Sequence, residues 1–272
     1  MPNYKINQTG LSLIELLVAI VVGLFITIGI TSVYVGNKRS NMTSSELSIL
    51  QDNGRVVLQT LTDVIQHTAY TSTSVAPVND MFIRSAVPTS MCSDGADSVV
   101  NTALFKPMEN NTSYGDTIGI AHMGDDQLNT DCAANVLPVT CRLGSDAAAA
   151  ASRIYNYFLV QKNTEGVPVL MCAGSRSATL QAIAEGVENL QFTYGEDMNS
   201  DGVADRYINS DEVTNWFAVV SVNVSVLVRS LSPVAVSRVA QSYKLSDDTT
   251  ISTNDRYLRA VFTTTVRLRN VR

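Results

Sequence analysis

Histidine is nearly missing from this sequence. Its 272 residues hold two, His67 and His122, beside four cysteines with no C-x-x-C spacing, so a histidine- or cysteine-built zinc centre has few ligands to draw on. No nucleophile elbow and no catalytic-metal cluster is present either, which leaves nucleophilic or hydrolytic chemistry with little support. No catalytic residue is assigned. Basic residues are the minority, 19 against 25 acids for a net charge of −6, and that balance argues against a general nucleic-acid-binding surface. Arg256, Arg259, Arg267, Arg269 and Arg272, a stretch with no acid after Asp255, could be searched for DNA binding, but a solvated sheet face is the simpler reading.

Charge is also missing from one long segment. After Gly10-Leu11-Ser12-Leu13-Ile14-Glu15 the chain stays apolar to Val35, with Glu15 its only charge. As a helix the run from Leu11 to Val35 measures about 37 Å, enough to cross a hydrocarbon core of about 30 Å with some tilt. A cleaved secretory signal has a shorter apolar core that ends in small residues, whereas this run ends Tyr34-Val35-Gly36-Asn37-Lys38. A single carboxylate in a membrane span costs about 3 kcal/mol and calls for a partner.

These residues resemble the class III signal of type IV prepilins. The leader Met1 to Gly10 holds Lys5 and no acid, and Glu15 is the fifth residue counted from Leu11. The resemblance implies cleavage after Gly10 by a prepilin peptidase, N-methylation of Leu11, and packing of the helix into a filament. In that family the glutamate pairs with the N-terminal ammonium of a neighbouring subunit, the partner Glu15 lacks. Two departures are visible. Leu11 stands where the family usually has Phe, and Ser32 where major pilins carry a kinking proline, leaving Gly23 and Gly29 as weak spots for curvature.

The expected organisation is a leader over 1–10, a transmembrane and filament-core helix over 11–35, an amphipathic continuation over 36–70, and a β-rich head over 71–272. In the continuation Leu47, Leu50, Val57, Leu58, Leu61, Val64 and Ile65 recur at helical spacing from Ser44 to Ala69, with Asn53-Gly54 as a soft point. Residues 71–116 read as irregular, being rich in Ser, Thr, Asn and Pro. Strands are expected over 116–122, 153–160, 167–172, 187–194, 216–229 and 257–269. Short helices are expected over 177–185 and over Ala147 to Ala151, the latter capped by Ser145-Asp146 or else a spacer. The clearest strand is the last but one, in which Val220, Val222, Val224, Val226 and Val228 form one apolar face. The fold class is therefore α+β, a long N-terminal pilin helix packed on an antiparallel β-sheet head domain. Cys92, Cys132, Cys141 and Cys172 all lie beyond the span, as suits an oxidising periplasm. Of the three pairings that four cysteines allow, Cys132 with Cys141 and Cys92 with Cys172 are expected.

A second motif follows the strand that ends at Tyr194. Asp197-Met198-Asn199-Ser200-Asp201-Gly202-Val203-Ala204-Asp205 spaces oxygen ligands as a calcium loop does, with Gly202 for the turn and the Val203 carbonyl as a ligand. The bidentate Glu of an EF-hand is replaced by Ile208. The candidate Ca²⁺ ligands are thus Asp197, Asn199, Asp201, Val203 and Asp205, with Asp211, Glu212 or water to complete them. A polar turn is the alternative reading.

Taken with the helix, the segment Glu185-Gly186-Val187-Glu188-Asn189-Leu190-Gln191-Phe192-Thr193-Tyr194-Gly195 and the strand ending Leu227-Val228-Arg229-Ser230 resemble PilW-type minor pilins. The middle, about 71–180, carries no such likeness. The resemblance implies a low-abundance subunit, inserted once in the inner membrane with its head in the periplasm and later in the pilus. It implies partners among the other minor pilins and the major pilin in a tip complex that primes assembly, and allows a tip adhesin as a further partner. A minor pseudopilin of a type II secretion system shares the same signal and helix and is the alternative.

Overall fold

The computed structural model describes residues 12–71, 81–83, 92, 109, 113–144, 149–176 and 179–271. One helix, α1, runs from Leu13 to Ile65. The chain divides into two compact units, 1–45 and 46–272. In the first, α1 carries an apolar stretch long enough to cross a membrane, with none of it buried. This fits a membrane anchor. Ser12 and Glu15 close its start, and no proline interrupts it.

In the second unit α1 becomes amphipathic. Leu50, Gly54, Val57, Leu61 and Ile65 are buried, spaced three or four apart so that they share one face. The strands are β1 (Ile118–Met123), β2 (Arg153–Lys162), β3 (Pro168–Gly174), β4 (Gln181–Glu185), β5 (Val187–Glu196), β6 (Arg206–Ile208), β7 (Val219–Arg229), β8 (Val239–Lys244), β9 (Thr250–Asp255) and β10 (Arg259–Arg267). They form a four-stranded sheet in the order β1-β2-β3-β4, a second in the order β10-β7-β5-β6, and the hairpin β8-β9. Every ladder is antiparallel.

One continuous core joins the helix face to both larger sheets. Val222, Val224, Val226 and Val228 of β7 meet Leu61 and Ile65 of α1, and Ile118, Phe158 and Leu170 extend the cluster into the first sheet. The valine alternation that marks this strand thus points where expected from Val222 to Val228, as do Phe262, Val266 and Leu268, but Val220 does not: the β5–β7 register shifts at Gly195/Glu196, so Val219 enters the core and Val220 is only half-buried. Gly186, at φ +81°, is where the chain leaves the first sheet and enters the second. Its N–H donates to Pro168 and its carbonyl accepts from Arg229, in a left-handed conformation that a side chain would strain.

Several expectations are corrected. Residues 181–185 form β4, not a helix, because pairing with β3 overrides the local preference of an alanine-rich segment. The Ala147 to Ala151 helix is a 3₁₀ turn over Ala149–Ser152, its expected cap lying outside the described residues. The 216–229 strand begins with a 3₁₀ turn, Trp216–Ala218, capped by the Asn215 side chain, which accepts from the Phe217 N–H. Asn53-Gly54 is no soft point: α1 runs straight through it, and Gly54 is the notch that admits the Phe262 ring, which a Cβ would meet at 2.5 Å. Most of 71–116 lies outside the described residues.

The cysteines pair differently from expectation. The disulfides are Cys92–Cys141 and Cys132–Cys172. Cys132 and Cys141, though near in sequence, are aimed at different places. The Cys132 N–H donates to the Asn156 side chain of β2 at 2.6 Å, which carries it over to Cys172 on β3. Cys141 ends a 3₁₀ turn and packs with Leu137, Ala151 and Ile154 beside Cys92.

Candidate functional site

Gly10 and Leu11, the expected processing site, lie outside the described residues. Glu15 does not. Its carboxylate accepts from the Ser12 N–H at 3.0 Å, while the Ser12 hydroxyl accepts from the Glu15 N–H at 3.3 Å. This reciprocal pair is a capping box, satisfying two donors that would otherwise be orphaned at the helix start. The lone charge of the apolar run therefore has partners within its own chain, a local role that the spacing S-x-x-E in the sequence carried and that sequence reasoning missed.

The acidic loop joins β5 to β6. Asp197 sits at its base, where one carboxylate oxygen accepts from the Ser200 N–H at 2.6 Å and the other from Gly202 at 2.7 Å. These N–H groups hold its carboxyl below the usual range against the desolvation that pushes it up. The loop then winds through successive side-chain turns: the Asn199 oxygen accepts from Asp201, and Asp201 accepts from Val203. Asp205 returns to the Met198 N–H at 2.7 Å, and the Asn199 amide lies 3.2 Å from Asp201 and 3.5 Å from Asp205. Positive φ at Ser200 and Gly202 lets the chain turn between them. Glu212 bonds to the Asn209 N–H instead of entering the loop.

The loop thus brings Asp197, Asn199, Asp201 and Asp205 into one turn. Yet no three His, Cys, Asp or Glu side chains among the described residues converge as a ready metal centre. Asp201 and Asp205 meet through the Asn199 amide, and much of the carboxylate capacity faces backbone N–H groups. Beside the loop lies an open groove of about 610 Å³ lined by Asp197, Asp201, Arg206, Phe217 and Arg267.

One arginine of the C-terminal stretch proves to be structural. The Arg259 side chain is buried, held by Glu188 and Asp255. Arg229 joins through Glu188 at 3.5 Å and lies 4.2 Å over the Tyr257 ring. Arg256 donates to the Ala235 carbonyl and Arg267 to that of Gly202. Of the described arginines in this stretch, Arg259 is the one neutralised by carboxylates, while Arg256, Arg267 and Arg269 are exposed.

A further pairing had no signal in the sequence. His67 and His122, the only histidines, interact where the end of α1 meets β1, and Asp125 is nearby. His122 is buried with no hydrogen bond to its Nε2. Burial first, and His67 second, lower its pKa from 6.5 to about 4 against the pull of Asp125.

No curated protein matches the chain. A solved structure, the type IV-like pilin TTHA1219 from Thermus thermophilus, is 12% identical, covers 82% of this chain and 98% of its own, and superposes with a TM-score of 0.40. Residues 157–270, from β2 through β10 and including the acidic loop, match the family model described as PilW, Type IV Pilus-assembly protein W, and this match bears out the resemblance to PilW-type pilins and supports a type IV pilus-related role.

Proposed function

We propose that the chain is a minor pilin that primes type IV pilus assembly in a tip complex with other minor pilins and the major pilin. The observation that carries this reading is the family match over 157–270, joined in one chain to an exposed apolar helix whose only acid in the run is Glu15. On this reading prepilin peptidase cuts after Gly10 and Leu11 is methylated. The helix rests in the inner membrane with the head in the periplasm until the subunit enters the pilus, where a tip adhesin is a further candidate partner. Glu15 then exchanges its capping bonds for the ammonium of a neighbour. A deletion strain tests the reading. It should lose surface pili and twitching, regain them with the wild-type gene, and not regain them with Glu15→Leu. Intact piliation together with lost export of secreted enzymes would assign the chain to a type II secretion filament instead. N-terminal mass spectrometry that finds Met1 intact would remove the processing step.

The acidic loop supports a second, smaller proposal, a Ca²⁺ site. Asp197, Asn199, Asp201 and Asp205 with the Val203 carbonyl are oxygen donors of the kind a hard cation takes. An ion would replace the Asn199 amide as the group drawing Asp201 and Asp205 together, and Mg²⁺, which demands stricter geometry, should substitute poorly. Titration calorimetry on the full chain in detergent should give a Ca²⁺ binding heat that Asp201→Ala abolishes. No heat and no shift in melting with wild type would leave the segment a polar turn.

A further inference from the structure

Three segments far apart in the chain bring oxygen atoms together beside β5. Asp116, just before β1, is buried, and its Oδ2 accepts from the Phe192 N–H at 2.9 Å. Asp247 lies in the turn of the β8–β9 hairpin, where its carboxylate accepts from the Thr249 N–H at 3.0 Å and from the Thr249 hydroxyl. Gln191 of β5, only 1% exposed, stands between them. Its Nε2 donates to the Asn189 Oδ1 at 3.0 Å, which turns its Oε1 toward the two carboxylates. That oxygen position is 2.8 and 3.0 Å from the Asp116 oxygens and 3.2 Å from the Asp247 Oδ2.

Oxygens this close, with no hydrogen between them, repel one another. Inverting the Gln191 amide gives the carboxylates a donor but sets its oxygen 3.0 Å from the Asn189 oxygen, so one pair of acceptors stays face to face unless Asn189 inverts as well. Positive charge is scarce here. No lysine or arginine among the described residues forms an ion pair with Asp247. Glu109 adds negative charge instead: burial pushes its carboxyl up, bonds from Ser210 draw it back, and Asp211 and Asp247 raise it further. A hard divalent cation removes the conflict. Ca²⁺ takes carboxylates, amide oxygens and water at about 2.3–2.6 Å, which sets neighbouring ligands about 3 Å apart, the spacing found around Gln191. Asp116 offers two oxygens, Gln191 and Asp247 one each, and water completes the shell.

We propose that Asp116, the Gln191 Oε1 and Asp247 hold a Ca²⁺ ion that fastens the turn of the β8–β9 hairpin to β5. The site shares no residue with the acidic loop and stands whether or not the filament reading does. Two carboxylates and an amide set a weak affinity, with a midpoint of about 1 mM, too weak to add a resolvable heat to the titration of the loop. Hydrogen exchange is the readout, on the full chain in detergent with Ca²⁺ titrated against chelator. Ca²⁺ should slow the amides of 245–250 in wild type and equally in Asp201→Ala, which breaks the acidic loop alone. Asp247→Asn keeps an acceptor for the Thr249 N–H but should abolish the effect. Gln191→Glu separates a cation from a hydrogen-bonded amide. It keeps the oxygen and adds a charge, so it should lower the Ca²⁺ midpoint at least about threefold, whereas the loss of an amide donor would loosen the turn whatever the Ca²⁺ concentration. The proposal is overturned by that last result, by no Ca²⁺-dependent protection of 245–250 in wild type, by protection that Asp201→Ala removes, or by protection that survives Asp247→Asn.

Discussion

His122 should make the head acid-labile over a window that opens well above the carboxylate range. The imidazole is buried against the end of α1, its Nε2 has no partner, and its pKa falls from 6.5 to about 4. In the unfolded chain the ring takes its proton near 6.5, so between these values the unfolded state binds more protons than the folded one. The contribution is therefore complete above pH 6.5 and is lost as pH falls toward 4. The shift corresponds to about 3 kcal/mol in all, of which roughly 2.5 kcal/mol disappears between pH 7.5 and 4.5. The carboxylates titrate at the lower end of this window, so the measurement must be a difference. Urea unfolding of the full chain in detergent, followed by the single tryptophan, Trp216, which lies in the core, should be run at both pH values on wild type and His122→Met. The variant can be more or less stable at pH 7.5. What matters is that its loss on acidification be smaller by about the amount above. Equal losses in the two proteins would show that His122 titrates normally and that the joint between α1 and β1 is wetter than the structure makes it.

Gly54→Ala should destabilise the head by about 1–3 kcal/mol through overpacking against Phe262, although the change favours an isolated helix by roughly 1 kcal/mol; an increase in the urea midpoint would refute the notch. Non-reducing peptide mapping should recover Cys92 with Cys141 and Cys132 with Cys172 and no free thiol. Each bridge closes a separation of 49 or 40 residues, so losing either should cost about 4 kcal/mol on the chain-entropy model, and a midpoint unmoved by reduction would contradict that.

Periodicity carried the parts of this fold that one face of one element decides. The valines of β7 and the leucines of α1 could be placed because burying one face imposes a period of 2 or 3.6. What the sequence hid was set by partners far away in the chain. Residues 181–185 are helix-like in composition and become a strand because β3 offers an edge. Gly54 looks weak until Phe262, from the far end of the chain, enters it. The cysteine pairing depends on Asn156 steering Cys132, a contact with no sequence pattern. At the candidate sites the acidic loop was legible because its ligands are local. The role of Arg259 was not, because Glu188 lies on another strand and the same arginines read equally well as a solvated face.

The hairpin β8–β9 shows how far that buried arginine reaches. Both strands are largely exposed, and a lone two-stranded hairpin is at best marginally stable in water, so its order must come from its attachments. In the segment that leads from β7 to β8 the Glu46 carboxylate accepts from the N–H groups of Leu231 and Ser232 at 3.0 and 3.1 Å. At its end Asp255, the last residue of β9, is bound by Arg259, which also grips Glu188 on β5. Arg259→Met keeps much of the packing but leaves Glu188 and Asp255, both partly exposed, without their main counter-charge, a loss of about 1–3 kcal/mol once solvent screening is allowed for. Arg229, 3.5 Å from Glu188, should hold the damage toward the lower figure. If the cluster serves mainly to dock the hairpin, the loss will be local: amides of 239–255 should exchange faster while those of β5 and β7 stay protected. Adding Glu46→Ala should free the segment leading into the hairpin and speed exchange over 239–255 further. Unchanged exchange over 239–255 in the double variant would mean that the hairpin is held by something other than these two anchors.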